Sequence, residues 1–285
     1  MDKTIQHILV CGAGTMGLGI AQTCAQSGYN VYLYDANADI AKQGILQIEK
    51  QLLKLKEKGK FSEEEVLSIM QNLQSINKLE NLEVDIVIEA IIEDVAIKRN
   101  LFATLEDLLP EDSILTSNTS SIPITQIAKQ LKHPSRVAGL HFFNPATLMK
   151  LVEVIEGAAT HKGVIEKLAA FTKTLDKVPV LAKDSPGFIV NRVARHFYVE
   201  ALKLLEEGVA THNQIDTILK ANGFRLGPFE LMDLIGNDIN FAVTKSLFDG
   251  FHHEPRFRPS RIQQQKVLAG HLGKKTGKGF YDYNP

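Results

Sequence analysis

The stretch Ile8-Leu9-Val10-Cys11-Gly12-Ala13-Gly14-Thr15-Met16-Gly17 decides the fold, because a short apolar run ends directly in closely spaced glycines. The run predicts a buried strand, and residues 18–27 have the apolar periodicity of a helix. Gly12 permits a tight turn, Gly14 allows a phosphate to approach the backbone, and Gly17 permits close packing of helix on strand. A strand, a glycine turn and a helix in this order predict the start of a parallel α/β sheet.

An acidic residue follows the next predicted strand, Asn30–Tyr34. This residue, Asp35, lies 18 positions after Gly17, a separation that suits a carboxylate bound to the ribose hydroxyls of a dinucleotide. The N–H groups at the helix start then bind the pyrophosphate. The alternative interpretation is a tight turn without a ligand. The candidate cofactor contacts are Gly12, Gly14, Thr15, Met16, Gly17 and Asp35.

The carboxylate of Asp35 also favours NAD over NADP. A 2′-phosphate about 4 Å away would be repelled by about 4 kcal/mol at an effective dielectric constant of about 20. The next residues, Ala36-Asn37-Ala38, supply no arginine that could bind such a phosphate.

Short apolar runs alternate with helical patterns as far as residue 183, which predicts a mainly parallel sheet covered by helices. The predicted strands are His7–Cys11, Asn30–Tyr34, Asp85–Glu89, Ser113–Thr116, Val137–Leu140, Leu151–Ile155 and Val178–Leu181. The predicted helices between them include Ile40–Lys58, Val95–Leu109, Ile124–Leu131 and Val164–Leu175.

After Asp184-Ser185-Pro186-Gly187 the pattern becomes entirely helical. We therefore expect a Rossmann-type domain over residues 1–183 and an all-α domain over residues 184–285, with dimerisation through apolar helix faces. The predicted helices are Phe188–Glu207, Asn213–Asn222, Pro228–Asp249 and Pro259–Gly270.

Composition excludes several classes of protein. With 32 basic and 33 acidic residues the chain lacks the positive charge typical of nucleic-acid-binding proteins. No apolar run reaches the roughly 18 residues of a membrane span, and the N-terminus lacks the pattern of a signal peptide. Two cysteines do not make a disulfide framework. These features predict a cytoplasmic protein without nucleic-acid or membrane partners.

A candidate acid–base pair is formed by His141, at the end of the predicted strand Val137–Leu140, and Glu153, inside the apolar run Leu151–Ile155. Histidine transfers protons in both directions near neutral pH, and a carboxylate fixes its tautomer and stabilises the imidazolium. The alternatives are an ordinary satisfied histidine and a glutamate that faces water from an edge strand. The pair His252-His253 lacks the spacing of metal ligands, and we predict no metal site.

Two polar segments follow predicted strands at the same edge of the sheet. In Glu89–Glu93 and the helix after it, Glu93 and Lys98 are candidate contacts of the nicotinamide half; the alternative is a capping carboxylate and a solvated lysine. Ser117–Ser121 supplies hydroxyls that could bind a reacting oxygen, or could simply cap the next helix.

In this order the segments resemble the short-chain L-3-hydroxyacyl-CoA dehydrogenases, especially the bacterial 3-hydroxybutyryl-CoA dehydrogenases, over essentially the whole chain. The matching segments are Gly12–Gly17, Glu89–Glu93, Ser117–Ser121, Gly139–Pro145, Lys183–Arg192, Gly227-Pro228-Phe229 and Lys275-Thr276-Gly277.

The resemblance implies NAD-dependent, reversible oxidation of an (S)-3-hydroxyacyl-CoA thioester, with 3-hydroxybutyryl-CoA as the expected substrate, by a homodimer. It implies that His141 is the acid–base residue and Glu153 its orienting partner. It further implies that Ser120 binds the reacting oxygen and that Asn191 holds the substrate and the histidine. Cofactor contacts would come from Glu93, Lys98, Asn144 and Lys275.

A lysine-rich segment, residues 50–60, is the candidate site for the phosphates of coenzyme A. Lys54 and Lys58 are four residues apart and are expected on one helix face. The chain departs from the family pattern here, because Gln51-Leu52-Leu53 stands where many members have a serine. Two alternatives to the thioester dehydrogenase stay open: a gulonate-type dehydrogenase of a free hydroxy acid, and a catalytically silent nucleotide-binding protein.

Overall fold

The computed structural model describes residues 5–284, and the chain divides into two compact units after Asp184. The strands of the first unit are β1 (His7–Cys11), β2 (Asn30–Tyr34), β3 (Leu73–Ile76), β4 (Ile86–Glu89), β5 (Ile114–Ser117), β6 (Val137–Phe142), β7 (Leu151–Glu156) and β8 (Val178–Lys183). Its helices are α1 (Thr15–Gln26), α2 (Ala38–Glu57), α3 (Glu63–Gln71), α4 (Val95–Leu108), α5 (Ile124–Ile127) and α6 (Lys162–Thr174).

The strands form one eight-stranded sheet in the order β3-β2-β1-β4-β5-β6-β7-β8. Strands β1 to β6 pair in parallel, β7 runs antiparallel to β6, and β8 is parallel to β7. Apolar side chains of the central strands, such as Ile8, Leu33 and Ile88, are fully buried, because helices cover parallel sheets on both faces. The predicted Rossmann-type, mainly parallel α/β fold is confirmed.

One strand and one helix of the first unit were not predicted. Strand β3 has the sequence Leu73-Gln74-Ser75-Ile76, whose polar middle lacks the apolar run of the other strands, and it occupies the edge beside β2. Helix α3 precedes it and begins with a capping box, in which Ser62 and Glu65 each bond to the backbone of the other. The sequence signal for this start was present, since Ser-x-x-Glu before an apolar pair is typical of a helix N-terminus.

The second unit is helical, as predicted. It contains α7 (Val190–Glu206), α8 (His212–Ala221), α9 (Pro228–Ile235), α10 (Asn237–Gly250) and α11 (Arg261–Leu268). Short 3₁₀ turns lie at Pro255–Phe257 and Lys274–Thr276.

Two predicted helices were wrong in extent. The predicted helix Pro228–Asp249 is two helices, because Gly236 between them has φ +107°, a backbone conformation that no right-handed helix contains. The predicted helix Ile124–Leu131 ends at Ile127, and Gln130 already has φ +74°. Each predicted helix thus contains a residue of positive φ that the apolar periodicity does not report.

Asp233 of α9 is the polar centre of the second unit. Its carboxylate is buried and accepts four hydrogen bonds, from the Asn237 amide, the backbone N–H groups of Phe280 and Tyr281, and the Tyr283 hydroxyl, at 2.7 to 3.1 Å. One side chain thereby fastens the C-terminal segment to helix α9.

We expect Asp233→Ala to lower the free energy of unfolding by about 3 kcal/mol, because it leaves buried donors without an acceptor. Urea unfolding measures this difference. Asp249→Ala is the matched control: Asp249 is exposed and pairs with the equally exposed His253, so its loss should change stability by less than about 0.5 kcal/mol. Equal stability of the two variants would show that Asp233 does not hold the segment.

Candidate active site

The site is built at the carboxyl edge of the parallel strands. The chain leaves β1 towards β2 on one side, whereas β4 lies on the other side of β1. This reversal of strand order opens a crevice outside the carboxyl ends of the strands, where open α/β sheets bind ligands. The glycine turn after β1, the ends of β4 and β5, and the end of β6 all lie along this edge.

Backbone geometry requires glycine at two positions of the turn. Gly12 has φ +104°, and a Cβ there would lie 2.5 Å from the carbonyl oxygen of Ala90. A Cβ on Gly17 would lie 1.8 Å from the carbonyl oxygen of Gly12. A Cβ on Gly14, by contrast, would meet nothing within 4 Å. The space beside Gly14 is therefore open to a ligand, and its neighbours Thr15 and Met16 begin helix α1.

The start of helix α1 fits the pyrophosphate of a dinucleotide. Its N-cap residue, Gly14, provides no side-chain acceptor, and the first turn contains no acidic residue. The orphan N–H groups and the positive end of the helix dipole thus face the open space rather than a protein carboxylate. This end of the sheet fits an anionic cofactor.

Asp35 lies at the end of β2, beside the glycine turn. Its Oδ2 accepts a hydrogen bond from the Ala13 N–H at 2.9 Å, and its Oδ1 accepts one from the Asn37 N–H at 3.0 Å. Each carboxylate oxygen has a second lone pair for a further donor. The carboxylate is therefore held in place at the turn, with acceptor capacity for ribose hydroxyls.

A buried ion pair lies at the carboxyl end of β4. Glu89 is fully buried, and its Oε1 lies 2.5 Å from Lys98 Nζ, while its Oε2 accepts a hydrogen bond from the Ser117 hydroxyl at 2.6 Å. The Lys98 ammonium also lies 3.2 Å from Glu93 Oε2, and the residue is 1% exposed. The alternative of a solvated lysine is excluded. Any cofactor contact of Lys98 would be made beside these two carboxylates.

Glu93 organises the segment that carries Ser120. Its Oε1 accepts hydrogen bonds from the Thr119 hydroxyl at 2.6 Å, the Ser120 N–H at 3.2 Å and the Ser121 hydroxyl at 3.3 Å. Asp94, and not Glu93, caps helix α4, by accepting hydrogen bonds from two of its first N–H groups. The alternative of a capping role for Glu93 is therefore also excluded.

His141 and Glu153 face each other across the antiparallel pair of β6 and β7. His141 Nδ1 lies 2.7 Å from Glu153 Oε2, and the two residues are 6% and 0% exposed. Strand β7 lies between β6 and β8, so Glu153 is not a water-facing residue of an edge strand. An ionised carboxylate only accepts hydrogen bonds, so Nδ1 is the ring nitrogen that carries the proton of this contact.

Two further residues hold the backbone at and after the end of β6, and neither was a candidate from the sequence. Asn118 accepts a hydrogen bond from the Phe142 N–H at 2.7 Å, one residue beyond His141. Lys177 is buried and donates to the carbonyl oxygens of Ala146 and Met149. No sequence pattern shows that a lysine next to a strand is buried, so Lys177 could not have been found. Asn118 lies inside the segment Ser117–Ser121, which was a candidate for binding the reacting oxygen.

The remaining candidate residues lie on other elements of the chain. Asn144 is exposed on the segment that follows β6, and Lys54 is exposed in the last turn of α2. Lys58 is the C-cap residue of α2, one position after the last helical residue, so it does not lie on the helix face of Lys54 as expected. In the second unit, Asn191 lies in the first turn of α7, and Lys275 lies in a 3₁₀ turn, where its Nζ is 2.7 Å from the Asp238 carboxylate.

Other features of the described residues do not add a reactive group. Burial raises the pKa of the Cys11 thiol, with smaller contributions from the nearby charges of Glu89 and Asp35, so the thiol stays neutral. Residues 5–284 contain no group of three or more side chains arranged to hold a metal ion. An open, mainly apolar pocket of about 610 Å³ lies between α5 and residues 157–160, and none of the candidate site residues lines it.

No helix within residues 5–284 combines the length and the apolar character needed to cross a membrane.

Comparison with known proteins gives a consistent family match for both units. The family model described as 3-hydroxyacyl-CoA dehydrogenase, NAD binding domain, matches residues 7–185, and the one described as 3-hydroxyacyl-CoA dehydrogenase, C-terminal domain, matches residues 187–283. A probable 3-hydroxybutyryl-CoA dehydrogenase of Bacillus subtilis (strain 168) is 43% identical over 281 residues, which cover 98% of each chain. The crystal structure of (S)-3-hydroxybutyryl-CoA dehydrogenase from Ralstonia eutropha superposes with a TM-score of 0.94 at 37% identity, covering 99% of this chain and all of that one.

A longer relative is also similar. The 3-hydroxyadipyl-CoA dehydrogenase of Escherichia coli (strain K12) is 48% identical over 285 residues. The alignment covers 99% of this chain but only 60% of that protein. The chain thus spans about three fifths of the length of this relative and nearly the full length of the Bacillus subtilis one.

Proposed function

Because the chain belongs to the 3-hydroxyacyl-CoA dehydrogenase family, we propose that it catalyses the NAD-dependent, reversible oxidation of an (S)-3-hydroxyacyl-CoA to the 3-oxoacyl-CoA. The observation that carries this proposal is the buried His141–Glu153 pair at the carboxyl edge of a sheet whose first turn fits a dinucleotide. The names of the relatives contain two acyl groups, hydroxybutyryl and hydroxyadipyl. The proposal covers the 3-hydroxythioester that both share.

NAD is the cofactor, and when bound it accepts hydride from carbon 3 of the hydroxyacyl group; in the reverse direction NADH supplies that hydride. The residues that would hold it are those of the glycine turn, whose N–H groups would bind the pyrophosphate, and Asp35, whose carboxylate would accept from the adenosine ribose hydroxyls. Glu93, Lys98, Asn144 and Lys275 are the proposed contacts of the other half.

His141 acts as the general base in the oxidative direction. Its Nε2 removes the proton of the 3-hydroxyl group, and the positive charge that develops on the ring is stabilised by Glu153 at 2.7 Å. In the reductive direction the imidazolium returns the proton to the oxygen. The overall reaction converts the alcohol and NAD⁺ to the ketone, NADH and one proton.

Ser120 and Asn191 are the proposed substrate-orienting residues. Ser120 lies on the segment that Glu93 fixes at the carboxyl edge of the sheet, and its hydroxyl would donate a hydrogen bond to the reacting oxygen. Such a donor stabilises the negative charge that the oxygen carries in the transition state. Lys54 and Lys58 are the proposed contacts of the coenzyme A phosphates, because both ammonium groups lie at the exposed end of α2.

We propose further that the protein is a cytoplasmic homodimer associated through its second unit. Several large apolar side chains of that unit are exposed, among them Val193, Ile218, Phe224 and Leu268. Burial of such side chains between two copies of the unit would remove their apolar surface from water. Both cysteines, Cys11 and Cys24, are buried as free thiols, which fits a reducing compartment.

Oxidation of NADH by the purified protein in the presence of acetoacetyl-CoA tests the function. We expect turnover with the thioester and none with free acetoacetate, followed as the loss of NADH absorbance. Turnover of the free acid would instead support a dehydrogenase of hydroxy acids. Measurable NADH binding without turnover of any 3-oxo substrate would support the silent nucleotide-binding protein.

A further inference from the structure

Asp184, the last residue of the first unit, holds the start of helix α5. Its Oδ1 accepts a hydrogen bond from the Ile124 N–H at 3.0 Å, and its Oδ2 accepts one from the Thr125 N–H at 2.8 Å. The N-cap residue of α5, Pro123, makes no side-chain hydrogen bond to the helix. A carboxylate distant in sequence therefore satisfies N–H groups that helices commonly satisfy with their own cap residue.

This anchor lies at the end of the segment that carries Ser120. Helix α5 begins shortly after the segment Ser117–Ser121, so the position of the helix sets where the segment ends. Glu93 holds the middle of the segment, through the Thr119 hydroxyl and the Ser120 N–H. The segment is thus fixed by one carboxylate in its middle and by the carboxylate of Asp184 at its end.

The backbone of Asp184 is tied to the strands of the acid–base pair. Asp184 directly follows β8, and its N–H donates to the carbonyl oxygen of Glu156, the last residue of β7, at 3.1 Å. Strand β7 carries Glu153, which faces His141 of β6. One residue therefore joins the strands of the acid–base pair to the segment that carries Ser120.

Helix α5 also packs directly against these strands. Ile124 is fully buried. A Cβ on Gly139 of β6 would lie 2.9 Å from its Cδ1 atom, and a Cβ on Gly157, after β7, would lie 3.1 Å from its Cγ2 atom. Gly139 lies two residues before His141. Because close-packed side chains transmit a displacement to their neighbours, the position of α5 and the position of β6 depend on each other.

We propose that Asp184 is a positioning residue, whose carboxylate sets the place of Ser120 relative to His141 by holding the start of α5. This inference rests on the proposed function, in which Ser120 donates to the reacting oxygen and His141 exchanges the proton of that oxygen. Both groups have to reach one oxygen atom, and a misplacement of about 1 Å can lower a rate by about 100-fold. Asp184 itself touches neither substrate nor cofactor in this role, and its effect passes through Ser120.

A second carboxylate of the first unit makes the same kind of contact at another place. Glu106 of α4 accepts hydrogen bonds from the consecutive N–H groups of Lys132 and His133, at 2.8 and 2.7 Å. Like Asp184, Glu106 is half-buried. Its two donors follow α5 in the chain, whereas the segment of Ser120 precedes that helix. Glu106→Ala is therefore the matched control, because it removes two backbone hydrogen bonds of the same type from the same unit.

The test is a double-mutant cycle, followed as kcat for the reduction of acetoacetyl-CoA by NADH. We expect Asp184→Ala to lower kcat by about 10-fold and to leave KM for NADH within about 2-fold, because the glycine turn is untouched. Ser120→Ala should lower kcat by about 100-fold, through loss of one donor to a developing negative charge. In the Ser120→Ala background, Asp184→Ala should lower kcat by less than about 2-fold, since the group that it positions is already absent.

Two further measurements separate positioning from a general loosening of the unit. Asp184→Ala and Glu106→Ala should shift the urea midpoint by similar amounts, whereas Glu106→Ala should change kcat by less than about 2-fold. Asp184→Asn keeps one acceptor oxygen for one of the two N–H groups, so its loss of kcat should be only about 3-fold. If Asp184→Ala does not fold, Asp184→Asn takes its place in the cycle and is judged by the same criterion.

The outcomes distinguish the two proposals. An unchanged kcat in Asp184→Ala, equal losses with and without the Ser120 hydroxyl, or equal losses in Asp184→Ala and Glu106→Ala would each overturn the positioning role. All three results would leave the dehydrogenase function in place. Failure of the unmodified protein to reduce acetoacetyl-CoA would instead overturn the proposed function, and the role of Asp184 with it.

Discussion

Replacing His141 with Gln should lower kcat by about 10³-fold to 10⁴-fold, because the only proposed proton acceptor for the 3-hydroxyl group is lost. The affinity for NADH should stay within about 3-fold of that of the unmodified protein, since the glycine turn and Asp35 follow β1 and β2 and not β6. Steady-state kinetics with acetoacetyl-CoA give the first quantity, and titration of NADH fluorescence gives the second. Loss of both together would argue that His141 holds the fold or the cofactor instead of moving a proton.

Glu153→Gln provides the partner measurement. Glutamine keeps an oxygen that can accept from His141 Nδ1 but removes the charge that stabilises the imidazolium, so we expect kcat to fall by about 10²-fold. Because Glu153 acts through His141, the double variant should be no slower than His141→Gln alone. Multiplied losses in the double variant would show that the two residues act independently.

The preference for NADH over NADPH should be about 10³-fold in kcat/KM and should depend on Asp35. This factor corresponds to the repulsion of about 4 kcal/mol between the carboxylate and a 2′-phosphate about 4 Å away. Asp35→Asn keeps an oxygen that accepts from the Ala13 N–H but removes the charge. We expect this variant to reduce the preference to about 10-fold, chiefly through a lower KM for NADPH.

Asp39→Asn is the matched control for Asp35→Asn. Asp39 is an exposed carboxylate in the first turn of α2. The variant therefore removes one negative charge near Asp35 and leaves the hydrogen bond from Ala13 to Asp35 intact. The preference of Asp39→Asn for NADH over NADPH should equal that of the unmodified protein. If Asp35→Asn also leaves the preference unchanged, the discrimination comes from another part of the site.

Several elements were predictable because they depend on local sequence. Strands β1 and β2 were predicted with their observed bounds, since each is a short run of apolar or aromatic residues bounded by residues typical of turns. Strand β3 was missed because an edge strand needs no continuous apolar run. The break at Gly236 was missed because a glycine inside an apolar pattern does not show whether its φ is positive.

The candidate site was predictable to a different degree in each of its parts. His141 and Glu153 were recognised as a pair from a strand end and a charged residue in an apolar run. Their separation of 2.7 Å depends on the antiparallel register of β6 and β7, which the sequence does not specify. Lys98 was recognised as a candidate, but its burial between Glu89 and Glu93 was not.

The sequence by itself determined the alternation of most strands and helices, the glycine turn, the acidic residue that follows β2 and the family resemblance. These features follow from residue types at fixed spacing, and such spacing does not depend on contacts with distant parts of the chain. Tertiary structure alone decided which charges are paired. It brought Glu89 to Lys98 and left Arg195 buried beside neutral acceptors of another helix. The physical reason is that burial and pairing of a charge are set by neighbours distant in sequence, and only the folded chain brings those neighbours together.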